Sequence, residues 1–270
     1  MRVSTDVEPM CTQAPVHLSY NRLPVLANVV FDLQYGDDIL IQHSYPPRNT
    51  LEPHDVVFVK TDLLEWFLAN KSPTVPITLV TGASDLSPSP DASAAILFNP
   101  NIHTWIGCNI RERHPKIKKV LIGVGEVGRV NGNHEELKAL HTSRLSWESK
   151  SSELCVPYHG NTHGGRTLTP TLEKLAFPDY MRSIGAHKFV VSQRGNGLDT
   201  HRFSEILLMG SVPVVLHSDL DDLYEQFPCL IVDSFNAIET SGFVWDDAKY
   251  ERFLDMFWLR TTWNDLSKGV

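Results

Sequence analysis

The sequence predicts an α/β protein made of two doubly wound, parallel-sheet halves, and three observations carry that expectation. Short apolar runs of strand length alternate with helical patterns, as where Asp55-Val56-Val57-Phe58-Val59-Lys60 is followed by Asp62-Leu63-Leu64-Glu65-Trp66-Phe67-Leu68, and this alternation is the mark of parallel strands joined by helical crossovers. The alternation breaks once, over residues 125–152, and then resumes. A chain of 270 residues is also long enough to bury two separate cores.

In the first half, Asp38 to His43 and Asp55 to Lys60 read as buried strands separated by the turn-rich Tyr45 to Pro53. Asp62 to Leu68 is an expected helix stopped before Pro73, with Asp62 as its N-cap, and Ile77 to Gly82 an expected strand. Ala95 to Phe98 is read as a strand, Ile102 to Cys108 as a short helix and Lys119 to Gly123 as a further strand. Gly125, Gly128, Asn131, Gly132 and Asn133 then interrupt the pattern before a polar helix around Glu135 to Trp147. The expected domains are 1–145 and 146–248, with 249–270 a terminal segment packing back on the first domain. The second half is read as a strand at Leu154 to Tyr158, a helix at Thr169 to Leu175 and a strand-turn-helix-strand unit over 187–216. A helix near Leu220 to Gln226, a strand at Cys229 to Asp233 and an amphipathic stretch from Tyr250 to Trp258 complete it.

Composition narrows the function classes. With 24 basic against 32 acidic residues the net charge is −8, which argues against a broad electrostatic footprint for nucleic acid. No apolar run approaches the roughly 18 to 20 residues of a membrane span, and the first 28 residues lack a basic region followed by an apolar block. The chain is therefore expected to be soluble and cytoplasmic. Cys11, Cys108, Cys155 and Cys229 show no Cys-x-x-Cys spacing and read as buried thiols. His159 and His163 stand four apart, but Gly160, Gly164 and Gly165 make that stretch a loop, and no zinc site is expected there.

The unit over 187–216 carries the chemistry. Phe189, Val190 and Val191 form a short strand, Arg194 to Gly197 a turn, and Asp199 or Thr200 caps a helix that carries Phe203, Ile206 and Leu207 and ends near Gly210. A helix start at the end of a strand presents unpaired N–H groups and a positive dipole end to an anion, and Arg194 adds a planar fork for phosphate oxygens. Gly195 and Gly197 allow close approach or positive φ, and Asn196, Thr200 and His201 complete the candidate cradle. The segment from His159 to Arg166, including Asn161 and Thr162, is a second candidate anion loop in the same half.

The run Arg194-Gly195-Asn196-Gly197-x-Asp199-x-x-Arg202-x-x-Glu205, followed by Gly210-x-x-Pro213-Val214, resembles the nucleotide-sugar-binding half of the exostosin-type glycosyltransferases. The likeness is nearest to small virus-encoded members, xylosyltransferases included, and extends more weakly through residues 55–124 and 153–235. It implies a GT-B arrangement, two Rossmann-like halves facing a cleft, with the donor held by the second half. It also implies an inverting, metal-independent transfer from a UDP-sugar, xylose first, to a glycan or glycoprotein hydroxyl, a fucose of a viral capsid glycan first.

By the same resemblance, Glu205 would bind ribose hydroxyls and Arg166 would steady the leaving diphosphate, while Arg202 would bind phosphate or pair with Glu205. Gly82-Ala83-Ser84-Asp85 is similar to the Gly-x-Ser-Asp that closes a first-domain strand in the family, which implies Asp85 as general base. The residues alone favour an Asx-turn role for Asp85, which the resemblance overrides, and His43 at another strand end is the alternative base. Asp219-Leu220-Asp221 matches the Asp-x-Asp wording of a metal-dependent transferase, but it opens a helix in which first-turn acids suit the dipole. A noncatalytic nucleotide- or glycan-binding module is the reading from a different class. No metal or other cofactor is expected beyond the UDP-sugar as co-substrate.

Overall fold

The computed structural model describes residues 3–4, 18, 23–34, 39–44, 49–126, 128–160, 163–164 and 166–258. It separates into two compact units, the first running to Val120 and the second taking Leu18 and the residues from Leu121 onward. No helix among the described residues is long and apolar enough to cross a membrane.

The first unit is built on a sheet of seven described strands: β1 (Val3–Ser4), β2 (Val29–Gln34), β3 (Ile39–Ser44), β4 (Asp55–Lys60), β5 (Ile77–Gly82), β6 (Ile102–Gly107) and β7 (Ile117–Lys119). Their order across the sheet is β1-β3-β2-β4-β5-β6-β7. Only β2 and β3 pair antiparallel, so β2, β4, β5, β6 and β7 form a parallel run. Helix α1 (Leu64–Lys71) joins β4 to β5, and α2 (Pro90–Phe98) joins β5 to β6. Leu64 and Phe67 of α1 and Ala92 and Ile96 of α2 share one core cluster with Val57, Val59 and Leu79. Both helices therefore cover the same sheet face. The reason is the strand order: a chain that steps from β4 to β5 to β6 in one direction by right-handed crossovers returns both connecting helices to the same side.

Three local expectations change here. Ala95 to Phe98 is the end of α2 and not a strand, because Ser89 accepts a hydrogen bond from Ala92 N at 3.2 Å and Pro90 opens the helix, so the Ser-Pro loop signal is a helix start. Ile102–Gly107 is strand β6 and not a helix, its Ile102, Trp105 and Ile106 all buried as β-branched and aromatic residues favour. The strand expected at Lys119 to Gly123 ends at Lys119. Strand β2 was not anticipated.

The second unit holds α3 (His134–Thr142), α4 (Phe177–Gly185), β8 (Phe189–Val191), α5 (His201–Leu208), β9 (Val212–Leu216), α6 (Asp221–Tyr224), β10 (Leu230–Val232) and α7 (Asp247–Phe257). Its three described strands are parallel, in the order β10-β9-β8. Val156, Phe189, Val191, Val212 and Val214 form a buried cluster against which Trp147, Phe243 and Trp245 pack.

The expected strand at Leu154 to Tyr158 reduces to one bridge, in which Cys155 N donates to Phe189 O at 3.0 Å and Val191 N to Cys155 O at 2.9 Å. No helix forms over Thr169 to Leu175, because Thr171 spends its groups on Val156: its N–H donates to Val156 O at 2.8 Å and its hydroxyl accepts from Val156 N at 2.9 Å. The helix forms later, as α4. The units divide at Val120/Leu121 and not at 145, and α3, with Leu137 and Leu140 buried, packs with α4. The terminal helix also stays in the second unit, where α7 packs on α5. Cys108 and Cys155 are buried and Cys229 is half-buried, while Cys11 lies outside the described residues.

Candidate functional site

All three residues of β8 are buried, and the chain leaves the strand end at Ser192 to turn into α5. Thr200 is the N-cap in extended backbone, φ −136° and ψ 153°, yet its side chain makes no capping bond. Its hydroxyl instead lies 3.2 Å from that of Ser192. The first N–H groups of α5 are thus left without a side-chain cap, the condition under which a helix start takes an anion.

Asp199 has a different part from the one expected. It is 3 % exposed, and its carboxylate accepts from Ile122 N at 2.7 Å, Thr200 N at 2.9 Å and the Tyr224 hydroxyl at 3.4 Å. Those bonds staple the turn to the segment after Val120, so Asp199 neither caps α5 nor offers itself to a ligand. Burial pushes its carboxyl up to about 6, against the pull of these donors.

Beside the start of α5 lies a cavity of about 330 Å³, in the size range of small-ligand sites. Of the residues expected from the sequence, Arg166, Thr200, His201, Arg202 and Glu205 line it. Glu205 is only 7 % exposed and accepts from the Tyr180 hydroxyl at 2.9 Å. Arg202 Nε donates to that same hydroxyl at 3.3 Å, and its outer nitrogen to Tyr158 O at 2.8 Å. Burial first, and then the charge of Glu205, raises the Tyr180 phenol well above its ordinary range, so it remains a donor to the carboxylate.

Arg166 is positioned as firmly. Its Nε donates to Arg194 O at 2.8 Å and its Nη1 to Gly160 O at 3.2 Å. A Cβ on Gly195 would stand 3.2 Å from Arg166 Nη2, so the glycine serves close approach, and it does so without the positive φ that was also expected. Burial, with Arg202 nearby, lowers the Arg166 pKa from its ordinary value. Two guanidiniums stand in one cavity with His201 and Lys174, facing the carboxylates of Glu173 and Glu205, a lining with donors for an anion and acceptors for hydroxyls.

Arg194 does not line this cavity. Its Nη2 donates to Asn196 O at 3.3 Å, and its Nε is buried with no hydrogen-bond partner. Gly195 and Gly197 are buried and Asn196 is exposed. Asn161 and Thr162 lie outside the described residues. His201 Nδ1 meets Gly123 O at 2.9 Å, and His159 Nε2 meets Leu168 O at 2.9 Å. Tyr158, Tyr180 and Lys174 were not singled out from the sequence, because the helix that carries Tyr180 was expected several residues too early.

In the first unit, Asp85 follows β5 and is half-buried at the carboxyl edge of the parallel run, where open sheets bind ligands. Two non-glycine residues at this edge are left-handed: Ala83 at φ 51° after β5 and Asn109 at φ 54° after β6. The turn is held by Lys60 Nζ donating to Ala83 O at 3.0 Å, and by Asn109 Nδ2 donating to Asp85 O at 3.4 Å. His43 is in β3 opposite Val30, and its side chain lies outside the described residues. In the second unit, Asp221 is committed to its own turn: it accepts from Ser218 N at 2.8 Å and contacts His217 Nδ1 at 2.7 Å. Asp219, N-terminal to it, is exposed. A scan of the chain against protein-family models and a search of curated proteins both returned no match.

Proposed function

We propose that this protein is an inverting, metal-independent glycosyltransferase of GT-B type that uses a UDP-sugar. The observation that carries the reading is the fixed chain Arg202 to Tyr180 to Glu205 in one cavity with Arg166, at the uncapped start of α5. A nucleoside diphosphate needs both halves of that arrangement. Arg166, Arg202, Lys174 and the α5 N–H groups suit its phosphate oxygens, and a carboxylate oriented by Tyr180 suits ribose hydroxyls. The resemblance of the run from Arg194 to Glu205 to the exostosin-type transferases supports the same assignment.

In the proposed reaction Asp85 takes the proton of the acceptor hydroxyl. The acceptor oxygen forms its bond to the anomeric carbon as the bond from that carbon to the diphosphate oxygen breaks, and UDP leaves with the electron pair. Single displacement inverts the anomeric centre. Fixed guanidiniums stabilise the departing charge without reorganisation, which is work a metal ion performs elsewhere. Xylose as the sugar, and a fucose-containing viral capsid glycan as acceptor, follow from the resemblance alone. Incubation with a panel of UDP-sugars in EDTA, with mass spectrometry for released UDP, tests the proposal. Turnover of one UDP-sugar is expected. Turnover of none, or turnover restored only by Mn²⁺, would contradict it.

A further inference from the structure

The second unit carries another cleft that the proposed reaction does not use. It has a volume of about 470 Å³ and lies between the segment after α3 and the start of α7. Its wall is aromatic. Trp147 and Trp245 stack with ring centroids 4.8 Å apart, and Trp245 leans on Tyr250 at 5.1 Å. The wall is fixed rather than loose, because Phe189 and Phe243 brace Trp147 from the core at 5.8 and 6.1 Å, and Trp245 Nε1 donates to Asp247 at 2.9 Å.

The remaining lining is polar. Glu148, Asp247 and Glu251 are exposed around the cleft, and the Arg144 guanidinium lies over the Tyr250 ring, 5.7 Å from its centroid. Tyr250 is 6 % exposed, and its buried hydroxyl has the Arg144 side chain beside it. Gly210, left-handed at φ 67°, borders the same space, and a Cβ there would stand at ordinary contact distance, 3.6 Å from that hydroxyl and 3.4 Å from Arg144 Nε.

The charge pattern selects the ligand. An anion would meet three carboxylates, and an organic cation would find the Tyr250 face already covered by Arg144. A neutral polyhydroxylated ligand meets neither obstacle: its C–H faces pack on the aromatic wall, the carboxylates accept from its hydroxyls, and Arg144 offers donors. We propose that this cleft binds a neutral oligosaccharide, separately from the cavity at α5. The inference rests on the aromatic cleft alone and not on the UDP-sugar reading.

Calorimetry with xylohexaose, cellohexaose and mannohexaose, each with UDP in excess and with pentagalacturonate as the charged control, tests it. At least one neutral hexaose is expected to bind, and Trp245→Ala to weaken that binding by about tenfold or more. Trp245 also packs against the core, so the exposed pair Asp247→Ala and Glu251→Ala serves as the folded variant and is expected to weaken binding as well. The proposal is overturned if no neutral hexaose binds, if pentagalacturonate binds more tightly, if UDP displaces the hexaose, or if binding survives both variants. A protein that binds hexaose but not UDP would uphold this site while refuting the donor reading.

Discussion

The Tyr180 hydroxyl donates a 2.9 Å hydrogen bond to Oε2 of Glu205, and through it α4 fixes the direction of a carboxylate on the neighbouring α5. Glu205 is buried beside Arg166 and Arg202, where a free carboxylate would collapse onto a guanidinium. The phenol fixes one of its oxygens instead.

Tyr180→Phe is expected to weaken UDP affinity by a factor of about 3 to 10, the worth of an ordinary positioning hydrogen bond. Glu205→Gln should weaken it further, by roughly tenfold or more. The ribose role is separable from a general loss by measuring 2′,3′-dideoxy-UDP, for which both variants should match the wild type. Equal losses with UDP and the dideoxy analogue would remove ribose from the assignment.

Arg166, not Arg194, should dominate diphosphate binding. Arg166 lines the cavity and is braced by two carbonyls, whereas Arg194 turns toward Asn196. Calorimetry should show Arg166→Ala weakening UDP by about ten- to a hundredfold, as for loss of a charge-assisted contact, and Arg194→Ala weakening it less. The reverse order would restore Arg194 as the principal phosphate ligand.

Asp199 links stability to pH. Its carboxyl lies at about 6 in the folded chain against an ordinary 3.8, so between those values the folded state holds the proton more tightly than the unfolded one. Stability from this group is therefore full below about pH 4 and is lost as pH rises through about 6, a change of about 3 kcal/mol. Urea melts across that range should show the wild type losing stability relative to Asp199→Asn as pH rises. A constant difference would mean that the carboxyl titrates at its ordinary value.

How far the sequence disclosed this arrangement depended on how local the signals were. Phe189 to Val191, the turn with its two glycines, α5 and the Val212–Leu216 strand follow one another within 30 residues and were all legible from apolar runs and turn residues. Arg166, Arg202 and Glu205 came from the same stretch or from its family resemblance. Tyr180 did not, because its helix depends on Thr171 being drawn into bonds with Val156, a contact between segments 15 residues apart. The role of Asp199 was equally hidden, since its partner Ile122 is 77 residues away. The exchange of helix and strand between Ala95 to Phe98 and Ile102 to Gly107 turned on a Ser-Pro pair, which serves loops and helix starts alike.

Lys150 should prove a structural group and not a catalytic one. It is 5 % exposed, and its ammonium donates to Gly185 O and, at 2.9 Å, to Met209 O, tying together the C-terminal ends of α4 and α5. Burial, and secondarily Arg144, lowers its pKa to about 8. Lys150→Met keeps the stem but strands two buried carbonyls, and chemical denaturation should show a loss of about 2 to 4 kcal/mol. A change within about 0.5 kcal/mol, as at an ordinary surface lysine, would contradict this role.

The central claim, that the chain transfers sugar from UDP with Asp85 as base, is tested most directly by the turnover of Asp85→Asn at saturating donor and acceptor, measured beside its UDP-sugar affinity. The near-isosteric amide leaves the bond from the Asn109 side chain to the backbone carbonyl of residue 85 in place, so the turn should persist. The account predicts unchanged donor affinity with turnover lower by roughly 10² to 10⁴, the range for losing general-base catalysis. Turnover near the wild-type rate in the folded variant, or a wild-type protein that transfers no sugar from any UDP donor, would contradict it.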